Sequence, residues 1–208
     1  MKLQLALDMD SLAVARALLE KTADLVDIAE VGTPLVLREG AAAIRALKKE
    51  YPHLLVLADF KIMDAGAEEA AIAFDAGADI VTVLAAAETV TIQRACDIAA
   101  DAGREVMADL IAVAHPARRA VEIASAGVTY LCCHTAFDMQ LSGADPAREL
   151  SEVRAALPGA RIAAAGGITP QRIGLLKPSG PEIIIVGGYV TRATDPRAAI
   201  QEVSAAMS

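Results

Sequence analysis

Two carboxylates and an ammonium fall within the six residues Asp59-Phe60-Lys61-Ile62-Met63-Asp64, directly after the apolar run Leu54, Leu55, Val56, Leu57, Ala58. The run reads as a buried strand, which puts the charges at the mouth of a core. Desolvating a charge there costs on the order of several kcal/mol unless a partner or ligand compensates. Such a cluster suits proton transfer and the stabilisation of negative charge; the plainer alternative is a solvated loop with an incidental ion pair. Flanked by Asp59 and Asp64, Lys61 is expected to stay protonated, as a cationic proton donor or electrostatic stabiliser more readily than as a Schiff-base nucleophile.

Other strand ends carry similar residues. Asp8, Glu30, Asp109 and His134 each close an apolar run, and two further runs end in Gly166-Gly167 and Gly187-Gly188. Glu30 and Asp59 supply the hard oxygens that suit Mg²⁺, with Mn²⁺ also acceptable, unless both simply pair with Lys61. His134 is placed either to shuttle a proton or to make a structural hydrogen bond. The glycine pairs allow backbone N–H groups to approach a phosphate closely, or else form tight turns. Arg192, a few residues on, adds a charge-assisted contact to an anion or lies on the surface.

The elements that must position these groups alternate regularly. Strands are expected over Lys2 to Leu7, Leu25 to Val31, Leu54 to Ala58, Ile80 to Leu84, Glu105 to Leu110, Thr129 to Cys133, Arg161 to Ala165 and Glu182 to Val186. Amphipathic helices follow over Leu12 to Lys21, Glu39 to Lys49, Gly66 to Ala76, Thr89 to Ala102, Pro116 to Ala126, Pro146 to Leu157, Pro170 to Leu176 and Pro196 to Met207. Eight βα units of about 25 residues in one 208-residue chain predict a single-domain (β/α)8 TIM barrel spanning residues 1–208. A doubly wound sheet is the competing architecture; Asp8-Met9-Asp10 stands where its glycine-rich fingerprint belongs. In a barrel the C-terminal strand ends carry function, and loops seven and eight commonly bind phosphate.

Composition narrows the partners. Hydrophobic residues make up 55% of the chain in short pieces, none near the roughly 18 residues of a membrane span. A net charge of −8 argues against nucleic acid and anionic membranes, and 3% aromatics with no Trp argue against base stacking. An anionic small substrate remains compatible with that charge. Cys96, Cys132 and Cys133 have no metal-ligand spacing and fit a reducing compartment. The N-terminus is broken by Asp8 and Asp10 too early for a signal peptide, so a cytoplasmic location is expected.

The segments Leu3-Gln4-Leu5-Ala6-Leu7-Asp8, Glu30-Val31-Gly32-Thr33-Pro34, Leu57-Ala58-Asp59-Phe60-Lys61-Ile62-Met63-Asp64-Ala65-Gly66, Ala76-Gly77-Ala78-Asp79, His134-Thr135 and Ala165-Gly166-Gly167-Ile168 resemble the 3-hexulose-6-phosphate synthase family, within the orotidine monophosphate decarboxylase suprafamily. The resemblance implies a Mg²⁺-dependent aldol reaction of formaldehyde with D-ribulose 5-phosphate through an enediolate. It implies Glu30 and Asp59 as metal ligands, Lys61 and Asp64 in proton transfer and charge stabilisation, and His134 as the group moving the proton at the reacting carbon. Asp8 and Asp109 would contact substrate, and Gly166, Gly167, Gly187 and Gly188 its phosphate. It further implies a homodimer with active sites at the interface, in which Asp64 reaches the partner's site.

The related 3-keto-L-gulonate 6-phosphate decarboxylases typically carry Glu, Arg and Thr where Asp109, Phe137 and Ala165 stand here. Decarboxylation is therefore the second enzymatic reading, and a non-catalytic phosphate-binding barrel the third. Departures from the synthase pattern fall at Ala136, at Ala85-Ala86-Ala87-Glu88 and at Ala112-Val113-Ala114-His115-Pro116. They bear on substrate identity more than on the reacting groups.

Overall fold

Strict alternation along each strand decides which side chains enter the centre of the molecule. The computed structural model describes residues 1–140 and 146–208. In it β1 (Lys2–Leu7), β2 (Ile28–Val31), β3 (Leu55–Ile62), β4 (Ile80–Leu84), β5 (Glu105–Asp109), β6 (Tyr130–His134), β7 (Ile162–Ala165) and β8 (Ile183–Val186) pair in sequence order, all parallel. Pairing of β1 with β8 closes the barrel. The expected (β/α)8 architecture is thus the observed one, and the doubly wound sheet is not.

Outward residues such as Leu3, Leu5, Leu7, Val56, Ala58, Val81 and Val83 join one large core with the surrounding helices. The helices are α1 (Leu12–Thr22), α2 (Thr33–Glu39), α3 (Ala41–Glu50), α4 (Gly66–Asp75), α5 (Thr89–Ala102), α6 (Pro116–Ile123), α7 (Phe137–Gln140), α8 (Ala147–Ala156), α9 (Pro170–Leu176), α10 (Gly188–Thr191) and α11 (Pro196–Met207); all but α7 contribute to that core. Inward residues including Ile28, Leu57, Ile80, Met107, Tyr130, Ala163 and Ile183 form a second, smaller core inside the barrel. Among the described residues no helix is long and apolar enough to cross a membrane.

Several boundaries differ from the expected ones, three of them with a clear physical cause. Strand β2 starts at Ile28, because Ala23–Leu25 continue α1 as a 3₁₀ turn. The helix expected from Glu39 is broken at Gly40, whose φ of +60° ends α2 and begins α3. Most consequentially, β3 runs on through Asp59 and Lys61 to Ile62, so the charged hexapeptide is largely strand rather than loop.

Strand β3 sustains that extension through a bulge. Its pairing with β4 passes from Ala58 opposite Val81 to Ile62 opposite Val83, four residues against two. The surplus turns Lys61 to a φ of +48°, a left-handed conformation that costs about 1 kcal/mol for a residue with a Cβ.

At the opposite end of the barrel the strand starts are tied by charge. Asp79 Oδ2 accepts from Lys48 Nζ at 2.7 Å and from Val56 N at 2.8 Å, and Oδ1 accepts from Arg104. Close helix packing completes the frame: a Cβ on Gly66, at the start of α4, would lie 2.1 Å from the carbonyl oxygen of Thr91 in α5. Gly66→Ala is accordingly expected to destabilise the fold by about 1–3 kcal/mol through overpacking. Urea unfolding at constant slope would measure it, and an unchanged midpoint would show that α4 and α5 slide apart freely.

Candidate active site

Following the inward positions of each strand to its C-terminal end gives Asp8, Glu30, Asp59, Thr82, Asp109, His134, Gly167 and Gly187 in barrel order. Polar residues come from the C-terminal parts of the first six strands or just beyond them, and glycines follow the last two. Together they line a cavity of about 930 Å³ above the inner core.

Asp59 is the most heavily bonded of them. Lys61 Nζ donates to Asp59 Oδ1 at 2.8 Å and to Oδ2 at 2.6 Å. Thr82 Oγ1 donates to Oδ1 at 2.8 Å, and Thr33 Oγ1 donates to Oδ2 at 2.6 Å. The chain of contacts continues through Lys61 Nζ to Asp109 Oδ2 at 3.4 Å, and from there to His134 Nδ1 at 2.9 Å. Asp109 Oδ1 accepts from the Ile111 backbone at 2.9 Å. Asp59, Lys61, Asp109 and His134 therefore form one continuous polar line across the pocket.

Charges in the line set one another. Burial alone would lower the pKa of Lys61, but the Asp59 and Asp109 charges outweigh it and leave it raised, so the ammonium is fixed. Burial likewise pushes Asp109 up, and the His134 hydrogen bond, His134's charge and Lys61 together bring it below its ordinary value. An ionised Asp109 accepts from Nδ1, which assigns the imidazole proton to that nitrogen and leaves Nε2 as the basic atom.

Glu30 behaves differently. Burial and the charges of Asp59 and Asp8 raise its pKa well above the ordinary 4.5, against a hydrogen bond of 2.6 Å from Gln4 Nε2. Asp8 is reachable by solvent at the pocket mouth yet enclosed enough that desolvation, then Asp59, raise its pKa too. Four carboxylates thus face one lysine, and that deficit of positive charge is what a divalent cation relieves. Glu30 and Asp59 offer hard oxygens suited to Mg²⁺. Among the described residues no three His, Cys, Asp or Glu side chains converge to enclose an ion, so water or ligand oxygens would complete its shell.

The far wall is made of backbone. Gly166 and Gly167 have φ of +95° and +64°, and a Cβ on Gly166 would fall 2.2 Å from the Thr135 carbonyl. A Cβ on Gly188 would lie 2.4 Å from Arg192 Nη2, so only glycine lets that guanidinium lie over the loop and line the cavity. Gly166, Gly167, Gly187, Gly188 and Arg192 all line the cavity, and backbone N–H groups and a guanidinium are the kinds of donor an anion needs.

Asp64 is the exception among the expected residues. It is exposed, its carboxylate caps the Ala65 backbone at 2.8 Å, and it does not line the cavity of its own chain. The left-handed turn at Lys61 and a second one at Ala65, φ +50°, carry the chain outward between them. Lys61 is therefore flanked by Asp59 and Asp109, not by Asp59 and Asp64. Gln4, Thr33 and Thr82 were not among the expected site residues. The inward alternation of β1 and β4 was the signal for Gln4 and Thr82; Thr33 lay in the family-like segment Glu30-Val31-Gly32-Thr33-Pro34 without a role of its own. The divergent segments Ala85 to Glu88, Ala112 to Pro116 and Ala136 all lie outside the cavity lining.

Comparison with known proteins places the chain in a family. Residues 1–203 match the model of the orotidine 5'-phosphate decarboxylase / HUMPS family. A 3-hexulose-6-phosphate synthase of Bacillus subtilis (strain 168) is 40% identical over 195 residues, 94% of this chain and 93% of that one. The crystal structure of 3-hexulose-6-phosphate synthase from Salmonella typhimurium superposes with a TM-score of 0.96 at 43% identity, over 100% of this chain and 98% of that one. A 3-keto-L-gulonate-6-phosphate decarboxylase from Vibrio cholerae O1 biovar El Tor is more distant, with a TM-score of 0.89 and 28% identity over 99% and 96%.

The Glu30 environment yields a stability prediction. A carboxyl whose pKa is raised on folding contributes stability below its unfolded value, and that contribution is lost as pH rises toward the folded value. In EDTA, Glu30→Gln should therefore gain melting temperature relative to the unsubstituted protein as pH goes from 5 to 8. A constant difference across that range would contradict the assigned burial and charge crowding.

Proposed function

The chain belongs to the orotidine 5'-phosphate decarboxylase / HUMPS family, and on that premise we propose that its site joins formaldehyde to D-ribulose 5-phosphate, as a 3-hexulose-6-phosphate synthase does. It is an enzyme, a carbon–carbon lyase of the aldol type. The observation that carries the specific reading is the line Asp59–Lys61–Asp109–His134, which sets a fixed cation beside a base of defined tautomer.

The phosphate of the ketose sits against Gly166, Gly167, Gly187, Gly188 and Arg192, and Asp8 and Asp109 contact its hydroxyls. His134 Nε2 removes a proton from C1, next to the C2 carbonyl, and Asp109 stabilises the imidazolium so formed. Lys61 stabilises the negative charge that develops on the enediolate oxygen. C1 then bonds to the formaldehyde carbon, the electron pair of its C=O bond moves to oxygen, and that oxygen takes the proton held by His134. Mg²⁺ or Mn²⁺ held by Glu30 and Asp59 would supply Lewis-acid polarisation of the substrate oxygens when bound.

Three cavity-facing residues favour aldol addition over decarboxylation of a 3-keto sugar acid. Asp109, Phe137 and Ala165 line the cavity, so the positions that separate the two activities by resemblance face the ligand. Phe137 is 65% exposed at the rim and offers no cation to a departing carboxylate. A homodimer is part of the proposal: Asp64 and the neighbouring Met63, 53% exposed, point away from their own cavity and are free to meet a second copy. The free, buried Cys96, Cys132 and Cys133 are in keeping with a cytoplasmic enzyme.

Formaldehyde consumption in the presence of D-ribulose 5-phosphate tests the reading. The unsubstituted protein should consume it with Mg²⁺ and not with EDTA, and Lys61→Ala and Asp59→Asn should each lose about 10³-fold or more in kcat while keeping the circular dichroism of the fold. Undiminished turnover in either variant would remove the roles assigned, and no turnover in a folded wild-type sample would redirect the reading to decarboxylation.

A further inference from the structure

Lys61 sits in a left-handed backbone conformation within a bulge, and the contacts that hold it there close on themselves. Its backbone N–H donates to Thr82 Oγ1 at 2.9 Å; Thr82 Oγ1 donates to Asp59 Oδ1 at 2.8 Å; Asp59 Oδ1 in turn accepts from Lys61 Nζ at 2.8 Å. The ring starts and ends on Lys61. A hydroxyl has a single proton, and a carboxylate can only accept, so the hydroxyl proton goes to Asp59 and its lone pair to the Lys61 N–H. Each member thereby has only one arrangement that satisfies all three bonds.

Thr82 is 4% exposed and is the central, inward residue of β4. Opposite it, β3 spends four residues against two on β4, so the ladder alone does not hold Lys61. From these contacts we infer that Thr82 is a positioning residue, whose hydroxyl locks the β3 bulge and thereby sets where the Lys61 ammonium stands between Asp59 and Asp109. Without the hydroxyl the Lys61 N–H loses its partner, Asp59 Oδ1 loses a donor, and the ammonium is free to shift toward Asp109, 3.4 Å away. The catalytic consequence rests on the role proposed above for Lys61; the positional one does not.

Thr82→Val keeps the shape and strand preference of the side chain and removes only the hydroxyl, while Thr82→Ser keeps the hydroxyl and removes the methyl. Hydrogen exchange at the Lys61 amide, followed by mass spectrometry or NMR without substrate, should accelerate about tenfold or more in Thr82→Val and stay near wild type in Thr82→Ser. In turnover with D-ribulose 5-phosphate and formaldehyde, Thr82→Val should lose about 10- to 100-fold in kcat with KM changed little, and Thr82→Ser should recover most of it. Equal exchange rates in wild type and Thr82→Val, or a Thr82→Ser variant as impaired as Thr82→Val, would overturn the inference. Faster exchange in Thr82→Val with no turnover in the wild type would uphold the lock and reject the reaction instead. Should Thr82→Val fail to fold, Thr82→Ser against Thr82→Ala makes the same comparison.

Discussion

One ammonium among four carboxylates is the interaction on which the pocket depends. Lys61 lies between Asp59 and Asp109, and its charge keeps both anions tolerable at the top of an apolar barrel. At an effective dielectric of roughly 20, a pair at about 3 Å attracts by about 5 kcal/mol, and desolvation offsets much of that. The surplus matters less for stability than for geometry. A cation with two anionic neighbours has one place to stand, and the substrate oxygens must come to it.

Stability and function pull apart around this centre. Below the polar ring the barrel is filled by Ile28, Leu57, Ile80, Tyr130 and Ile183, which need nothing from solvent. Above them Gln4 is turned so that Nε2 meets Glu30, which leaves Gln4 Oε1 buried without a partner among the described residues. An orphaned acceptor costs about 1–3 kcal/mol. Lys61 in a left-handed turn and the crowded charge of Glu30 add to it. Local rules broken together in one cavity, over a frame that otherwise obeys them, mark that cavity as the selected feature of the fold.

Much of this was legible in the residues. The apolar runs put Asp8, Glu30, Asp59, Asp109 and His134 at strand ends, so the carboxylates at the barrel mouth and the eight strands followed from sequence. The glycine pairs after β7 and β8 were legible for the same reason. The extension of β3 was not, because a bulge obeys no period and the charged residues resemble a loop. Nor was the outward turn of Asp64, set by left-handed backbone at Lys61 and Ala65. Thr33 and Thr82 were given no role because a hydroxyl alone does not announce one; their convergence on the two oxygens of Asp59 supplies it.

The central claim is that His134, Asp109 and Lys61 can form an enediolate from a phosphorylated ketose before any carbon–carbon bond is made. Incubating the protein with D-ribulose 5-phosphate and Mg²⁺ in D₂O, without formaldehyde, isolates that step for observation by NMR. The account predicts stereospecific replacement of one C1 hydrogen by deuterium, abolished in His134→Ala. Retention of both C1 hydrogens, in a sample that binds the sugar phosphate, would contradict it.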